Sequence, residues 1–453
     1  QWRHRAGNGK SRGTYMSSYG ELRLDAVASF ETEIPYHGIL PSLPHEPSLR
    51  PTLARLLESE VPGDLPKEIK DTYWTGKDMG KWAAMHRTAL AIGKTDWAAT
   101  AADRIRRTLE RWFTPSTAAA DNAVFAYDRE WSTLIGYPAG FGTDTDLNDH
   151  HFHYGYFVQA AAELARVDPG WAAPKRYGAM LAELIDDMAC ADRNHPRYPY
   201  LRCFDIYAGH SWASGNAPFA SGNNQESSSE AINAWAGMAL LGTRTGDTAL
   251  RDRGICLYAT EVAALSEYWL DVHRTLPAAY PCPQFAMVWG GKRVHETWFS
   301  NRPEAIHAIN WLPFTPASLY LGLYPDSAKR NHDALMAETG GDLKQWKDLI
   351  WMHQALHDPD GAIAAWKREA STYEPEVGQS RAAVIEWMGF LRAYGQVDRT
   401  VHLNTVCYAV LRKSNVRTFV VWNPGKSRIS VRATDGTRLT VPAGGPHVFQ
   451  RRV

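Results

Sequence analysis

The sequence predicts a mainly α-helical protein with small β segments at both chain ends. Three observations carry that expectation. Ala-rich stretches with apolar residues three and four apart recur about a dozen times between residues 48 and 395. Short alternating runs broken by Gly and Pro fill residues 1–45, and alternation returns after residue 400. A β head, a run of helices and a β tail argue for a helical barrel flanked by a small β unit. Composition alone leaves a helical stack open as well. The expected division is a β segment and linker over 1–45, a helical domain over 46–398 and a C-terminal β segment over 399–453.

In the head, RGTYMSSYGELRLDA and SFETEIPYHGILPSLP read as strands and turns that leave through Pro41, Pro44 and Pro47. Apolar periodicity then predicts helices over 49–60, 77–93, 97–113, 152–167, 171–190, 226–242, 248–270, 317–324, 327–338, 343–355, 362–371 and 380–394. Long polar loops at 114–148, 192–225 and 273–302 interrupt them, and loops of that length in a compact domain usually carry function. In the tail, VCYAVLRK, RTFVVWN, RISVRATDG and TRLTVPAGG read as strands joined at NPGK and TDG turns.

Composition narrows the function classes. Lys+Arg and Asp+Glu both number 49, so no basic excess serves phosphate neutralisation, and nucleic acid is not an expected partner. No apolar stretch approaches the ~20 residues that cross a bilayer, so a soluble protein with no membrane partner is expected. Five scattered cysteines without a CxxC pair fit neither a disulfide framework nor a zinc ribbon, although one bridge such as Cys190–Cys203 stays open. No signal-peptide pattern is visible in the residues from Gln1 onward. Tryptophan is abundant, with 18 Trp against 14 Phe. Most read as helical core, and a handful as the aromatic lining of a cleft.

Two stretches concentrate chemistry. In LNDHHFHYGY, Asp149 sits where a long loop meets a helix. Its bland reading is a helix cap. Asp149 and His153 are four apart, so a helix puts them on one face. His150, His151 and His153 lack the i, i+4 spacing of a helical metal pair and point to different faces, so no metal site is expected there. The second stretch joins DIYAGHSWASG, from Asp205, to NNQESSSEAINAW, which holds Glu226 and Glu230. Those two glutamates read as one helical face, where like charges raise a carboxyl pKa. His210, Trp212, Asn224 and Gln225 crowd the same junction with groups that sugars use. Glycoside hydrolysis needs two carboxyl groups whose surroundings separate their pKa values. Asp149, beside Phe152 and Tyr154, is the expected acid. Glu226, in an Asn/Gln/Ser setting that keeps it ionised, is the expected base.

At these segments the chain resembles glycoside hydrolase family 81, the endo-β-1,3-glucanases. NDHHFHYGY, AGHSWASG and NNQESSSEAINAW carry the resemblance, which continues through YHGILPSLP (36–44), DTYWTGKDM (71–79), YDREW (127–131) and IHAINWLPFTP (306–316). The resemblance implies an (α/α)6-barrel catalytic domain and inverting hydrolysis of β-1,3-glucans such as laminarin, curdlan and fungal wall glucan. It makes Asp149 the proton donor and Glu226 the base that activates water, with Glu230 and His153 positioning or tuning charge. It assigns Tyr154, Asp205, His210, Trp212, Asn224, Gln225, Tyr127 and Asp128 to glucosyl binding. It implies no metal or organic cofactor and a secreted protein, expected to be a monomer. The family places a β-sandwich ahead of the barrel, and residues 1–45 look like its last strands. Two other readings belong to different classes: a non-catalytic β-glucan-binding protein, and a metal-dependent enzyme built on His150, His151 and His153.

Overall fold

A computed structural model describes residues 4–6, 10–17, 20–28, 30–61, 70–116, 123–276 and 279–453. Among them twelve α-helices dominate: α1 (Arg50–Glu60), α2 (Thr72–Ala91), α3 (Thr95–Phe113), α4 (His150–Leu164), α5 (Ala179–Ala189), α6 (Ser228–Thr245), α7 (Thr248–Tyr268), α8 (Pro303–Ala308), α9 (Pro325–Thr339), α10 (Lys347–Gln354), α11 (Pro359–Glu369) and α12 (Arg381–Tyr394). Local chemistry sets several boundaries. Asp71 accepts from the Trp74 amide, so α2 begins five residues before the apolar periodicity does. Asp247, Asp358 and Ser380 cap α7, α11 and α12 in the same way.

The predicted helix over 171–190 is shorter than expected. Pro174 starts a π-turn, Pro174–Gly178, and regular helix begins only at Ala179. The stretch expected as a helix over 317–324 is a 3-10 helix, Pro316–Gly322, closed by a Thr315–Ser318 capping box. Six-residue α8 lies outside every predicted helix, being too short to show periodicity.

Helix α4 is at the centre. It packs on α2 and, most extensively, on α6, which in turn packs on α7. Every α4 residue except Gln159 is buried. The α4–α6 approach needs glycine: a Cβ on Gly155 would lie 2.5 Å from the Ala234 Cβ. Helices α1 and α2 both meet α12.

The tail is an antiparallel sheet in the order Gln396–Val397, Tyr408–Lys413, Val416–Asn423, Gly444–Arg452, with a separate hairpin of Ile429–Arg432 and Arg438–Val441. The pleat sends alternate residues to opposite faces. Val420 and Trp422 join the helical core, while Phe419 and Val421 pack with Val431, Leu439 and Val441 under the hairpin. The Arg244 guanidinium of α6 stacks 3.3 Å above Trp422. In the head, Ser11–Ser17 pairs with Gly20–Asp25, and His4–Ala6 with Phe30–Thr32. Ile39, Leu40 and Leu43, which follow, belong to the same core as the helices.

The long loops contain β structure that periodicity did not reveal. Val124–Asp128 pairs with Thr133–Tyr137. Asn224–Gln225, Met287–Trp289 and Arg293–Val294 form a three-stranded sheet that ties the second loop to the third. No helix among the described residues is long and apolar enough to cross a membrane. All five cysteines are free thiols, Cys190 and Cys203 among them.

Candidate active site

Asp149 and Glu226 are far apart in sequence, and backbone bonds of the 192–225 loop bring them to one cleft. The Asp149 amide donates to the Ala213 carbonyl at 2.8 Å, and the Ala213 amide donates to the Asn224 carbonyl at 2.8 Å. Glu226 follows two residues later. Both carboxylates line a cleft of about 650 Å³, together with His153, Asn224, Glu230 and Glu376.

Asp149 occupies the N-cap position of α4 without capping it. Its φ of 59° is left-handed, and its side chain takes no bond from the first helical turn. Its backbone carbonyl does accept from the Phe152 and His153 amides. The left-handed turn, which Asp tolerates better than most residues, releases the carboxyl to the cleft. Glu226 lies outside α6, in the bend between strand Asn224–Gln225 and Ser228. The expected helical face shared by Glu226 and Glu230 is therefore not formed, because the strand pairing to Met287–Trp289 delays helix entry. The Trp298 amide donates to Glu226 Oε1 at 2.7 Å, and the Trp298 indole donates to Asn224 Oδ1 at 3.3 Å.

The electrostatics separate this cleft from an ordinary polar site. Burial pushes the Asp149 pKa well above the usual carboxylate range, and the charges of Glu226 and Glu230 push it further. Burial raises Glu226 to about 7, partly opposed by the Trp298 amide and assisted by Glu230. The expectation that a polar setting leaves Glu226 fully ionised is thus corrected, because desolvation outweighs its polar neighbours. Glu230 is buried and accepts from the Tyr156 hydroxyl at 2.7 Å and from Tyr73. Behind it, Lys77 and Glu376 form a buried ion pair at 2.7 Å. His153 Nδ1 meets the Thr72 hydroxyl at 2.8 Å, and burial lowers its pKa to about 3, so the ring is neutral.

Several residues expected to bind sugar do not line this cleft. Tyr154 is fully buried and donates to the Leu134 carbonyl at 2.7 Å. His210 is buried against Trp212 and Trp269, its Nδ1 on the Ser211 carbonyl. The Trp212 indole donates to Asp205, whose other oxygen accepts the Tyr207 and Ala208 amides of a tight turn. Gln225 is buried beneath the cleft and bonds the Ser211 hydroxyl. Tyr127 donates to the Arg197 carbonyl, and Asp128 accepts the Glu130 and Trp131 amides of a hairpin turn. Of the eight, Asn224 alone lines the cleft. The three adjacent histidines diverge: His150 pairs with Asp187, His151 stacks on Trp235, and His153 faces the cleft.

The cleft also holds residues that sequence reasoning did not single out. Tyr73, Trp74, Phe141, Phe219, Trp298, Phe299 and Trp346 line it, as do Glu376 and Val377. Trp298, Phe299 and Phe141 are more than half exposed, at 56, 55 and 51 %. Large apolar side chains gathered on one rim mark a binding surface rather than a core. Tyr73 and Trp74 stood inside the DTYWTGKDM segment and were open to detection. The others are spread over loops with no shared local pattern.

Comparison with known proteins fits this geometry. The family model described as the glycosyl hydrolase family 81 C-terminal domain matches residues 46–388. The chain belongs to glycoside hydrolase family 81. It is 44 % identical over 434 residues to a glucan endo-1,3-beta-D-glucosidase of Thermobifida fusca, covering 95 % of this chain and 57 % of that protein. It is 44 % identical over 442 residues to one of Acetivibrio thermocellus, covering 96 % and 56 %. The solved structure of a mutant family 81 glycoside hydrolase from Clostridium thermocellum superposes with a TM-score of 0.93 at 41 % identity, covering 99 % of this chain and 63 % of that one. The chain thus spans a little over half the length of these curated relatives.

Proposed function

We propose that this chain carries the catalytic activity of an endo-β-1,3-glucanase that inverts the anomeric centre. The observation that carries the proposal is a pair of half-buried carboxyl groups, with no cationic partner among the described residues, facing one cleft rimmed with exposed aromatic rings. The relatives' names as glucan endo-1,3-beta-D-glucosidases support the linkage. Laminarin, curdlan and fungal wall glucan are the proposed substrates, and a secreted monomer the proposed form. The helices of residues 46–398 are proposed to form an (α/α)6 barrel, flanked by β segments over 1–45 and 399–453.

In this mechanism Asp149 is protonated at neutral pH and gives its proton to the glycosidic oxygen as the C1–O bond breaks. Glu226, in its ionised fraction, removes a proton from water as the water oxygen attacks C1 from the opposite face. Asp149 ends ionised and Glu226 protonated, and exchange with solvent resets both. The Trp298 amide holds the Glu226 carboxylate in place. Glu230, fixed by Tyr73 and Tyr156, keeps negative charge near both groups and so favours the protonated acid. Apolar faces of glucosyl rings stack on Trp74, Phe219 and Trp298. The neutral His153 is a hydrogen-bonding rather than a charged contact.

The test is to follow laminarin hydrolysis by proton NMR before mutarotation. The α-anomer is expected first. A β-anomer would reject inversion and require a carboxyl separation of about 5–5.5 Å rather than about 6.5–9.5 Å.

A further inference from the structure

Outside the catalytic carboxylates, a second cluster stands on the far side of the loop that delivers Trp298. We infer that His295, His307 and Glu338 form a binding site for a divalent ion of the zinc class, which clamps the 284–300 segment onto α8 and α9. The three side chains come from three elements: His295 directly follows strand Arg293–Val294, His307 is in α8, and Glu338 is in the last turn of α9. Their ligand atoms all lie within 4.8 Å of one another. His307 Nε2 is 3.0 Å from Glu338 Oε2, and His295 Nε2 is 3.9 Å from the same oxygen. A tetrahedral centre with bonds of about 2.0–2.1 Å spaces its ligand atoms by about 3.3–3.4 Å, so small side-chain rotations suffice.

Hydrogen bonding argues for a cation at the centre. His295 Nδ1 is 3.2 Å from the Gln284 carbonyl, to which it donates, and this leaves the lone pair on Nε2. That Nε2 is buried and has no hydrogen-bond partner among the described residues. It therefore faces the Glu338 carboxylate as a second acceptor, an arrangement that a metal ion relieves and that otherwise costs desolvation. A ligating imidazole whose other nitrogen donates to a backbone carbonyl is the usual way a metal-binding tautomer is fixed. Gln284 also donates from its side chain to the His307 backbone carbonyl at 3.0 Å, so one residue ties the segments of both histidines together. Two imidazoles and a carboxylate suit zinc rather than the all-oxygen preference of calcium or magnesium. Glu338 is 43 % exposed, which gives the ion an entry path and room for a water as fourth ligand.

The site is structural in this reading. Three residues beyond His295, the Trp298 amide holds Glu226, so pinning His295 restrains the strand end that positions the base. The inference rests on the cluster's own geometry and stands whether or not the glucanase reading does.

The test uses the full chain without a histidine tag, stripped with EDTA, dialysed and titrated with zinc chloride against a competing fluorescent chelator. One zinc ion per chain is expected. The melting temperature should rise by about 2–5 °C at a hundredfold excess over the dissociation constant. Glu338→Gln, at a partly exposed position, and His295→Gln should each weaken zinc binding by at least about tenfold. Calcium chloride should give no comparable rise. Absence of stoichiometric zinc, or equal zinc affinity in wild type and Glu338→Gln, overturns the inference. If His295→Gln does not fold, Glu338→Gln decides alone.

Discussion

Helix α4 begins just after Asp149 and carries Glu163 in its last turn, and these two carboxyl groups face opposite charge environments. Around Glu163 stand His86 at 2.5 Å, Arg166 at 2.7 Å and Arg87 at 3.6 Å. Burial alone would raise its pKa, but Arg166, His86 and Arg87 outweigh burial and hold it far below the usual range. Asp187, beside Arg202 at 2.6 Å and His150 at 2.8 Å, follows the same pattern. Around Asp149 the charged neighbours are Glu226 and Glu230, so burial and charge act in the same direction. Desolvation is common to both ends of the helix, and the sign of the neighbouring charge decides whether the group is a structural anion or a stored proton. Helix α4 thus anchors itself with one carboxylate and presents the other to the cleft.

The comparison breaks most sharply if the cleft end is neutralised. Asp149→Asn and Glu226→Gln are each expected to lower kcat on laminarin by about 10²–10⁴-fold. Thermal stability should be unchanged or higher in Asp149→Asn, because a carboxyl with a raised folded pKa gives no stability by ionising. Near-full reducing-end release by Asp149→Asn would remove it from the proton-donor role.

At the other end, Glu163→Gln strands His86, Arg87 and Arg166 around a neutral amide. A loss of about 3–5 kcal/mol in urea unfolding is expected, with kcat per folded molecule retained. The pH dependence has a definite sign. A depressed folded pKa contributes stability above the ordinary glutamate pKa, and that stability is lost as pH falls below it towards the folded value. The wild type should show this acid loss, and Glu163→Gln should show less of it. Equal stability of the two proteins would mean that the cluster contributes nothing net.

The smallest expected effect sharpens the comparison within the cleft. The acidic limb of kcat/KM should lie near pH 7, where Glu226 ionises, and activity should fall again at higher pH as Asp149 loses its proton. The Glu230 charge raises both groups, so in Glu230→Gln both limbs should move to lower pH. An unmoved profile would show that Glu230 acts through hydrogen bonds alone. The limbs report the coupled pair rather than single residues.

Much of the site was legible in two motifs. Asp149, His153, Asn224, Glu226 and Glu230 all reach the cleft. Their motif neighbours Tyr154, His210 and Gln225 look equally chemical in sequence, yet each is buried and bonded to its own surroundings, away from the cleft. A run of polar and aromatic letters does not say which faces solvent when the backbone leaves helical or strand geometry, as it does at Asp149 and Glu226. Beyond Tyr73 and Trp74, the cleft aromatics were not legible, because Phe141, Phe219, Trp298 and Trp346 belong to four separate stretches. Lys77 and Glu376 lie almost 300 residues apart and meet only across the fold.

By itself the sequence determined the helices whose apolar spacing and caps agree, such as α7 and α12, and the alternating strands of the tail. Those choices rest on interactions a few residues long. Tertiary structure alone decided where α6 begins, because the pairing of Asn224–Gln225 with Met287–Trp289 holds the chain extended, and the helix starts two residues later than its periodicity predicts, with Glu226 outside it. It also decided that the pKa values of the two carboxyl groups move upward. Charge state depends on desolvation and on the nearest ions in space, and those are fixed only when distant segments close over Asp149 and Glu226.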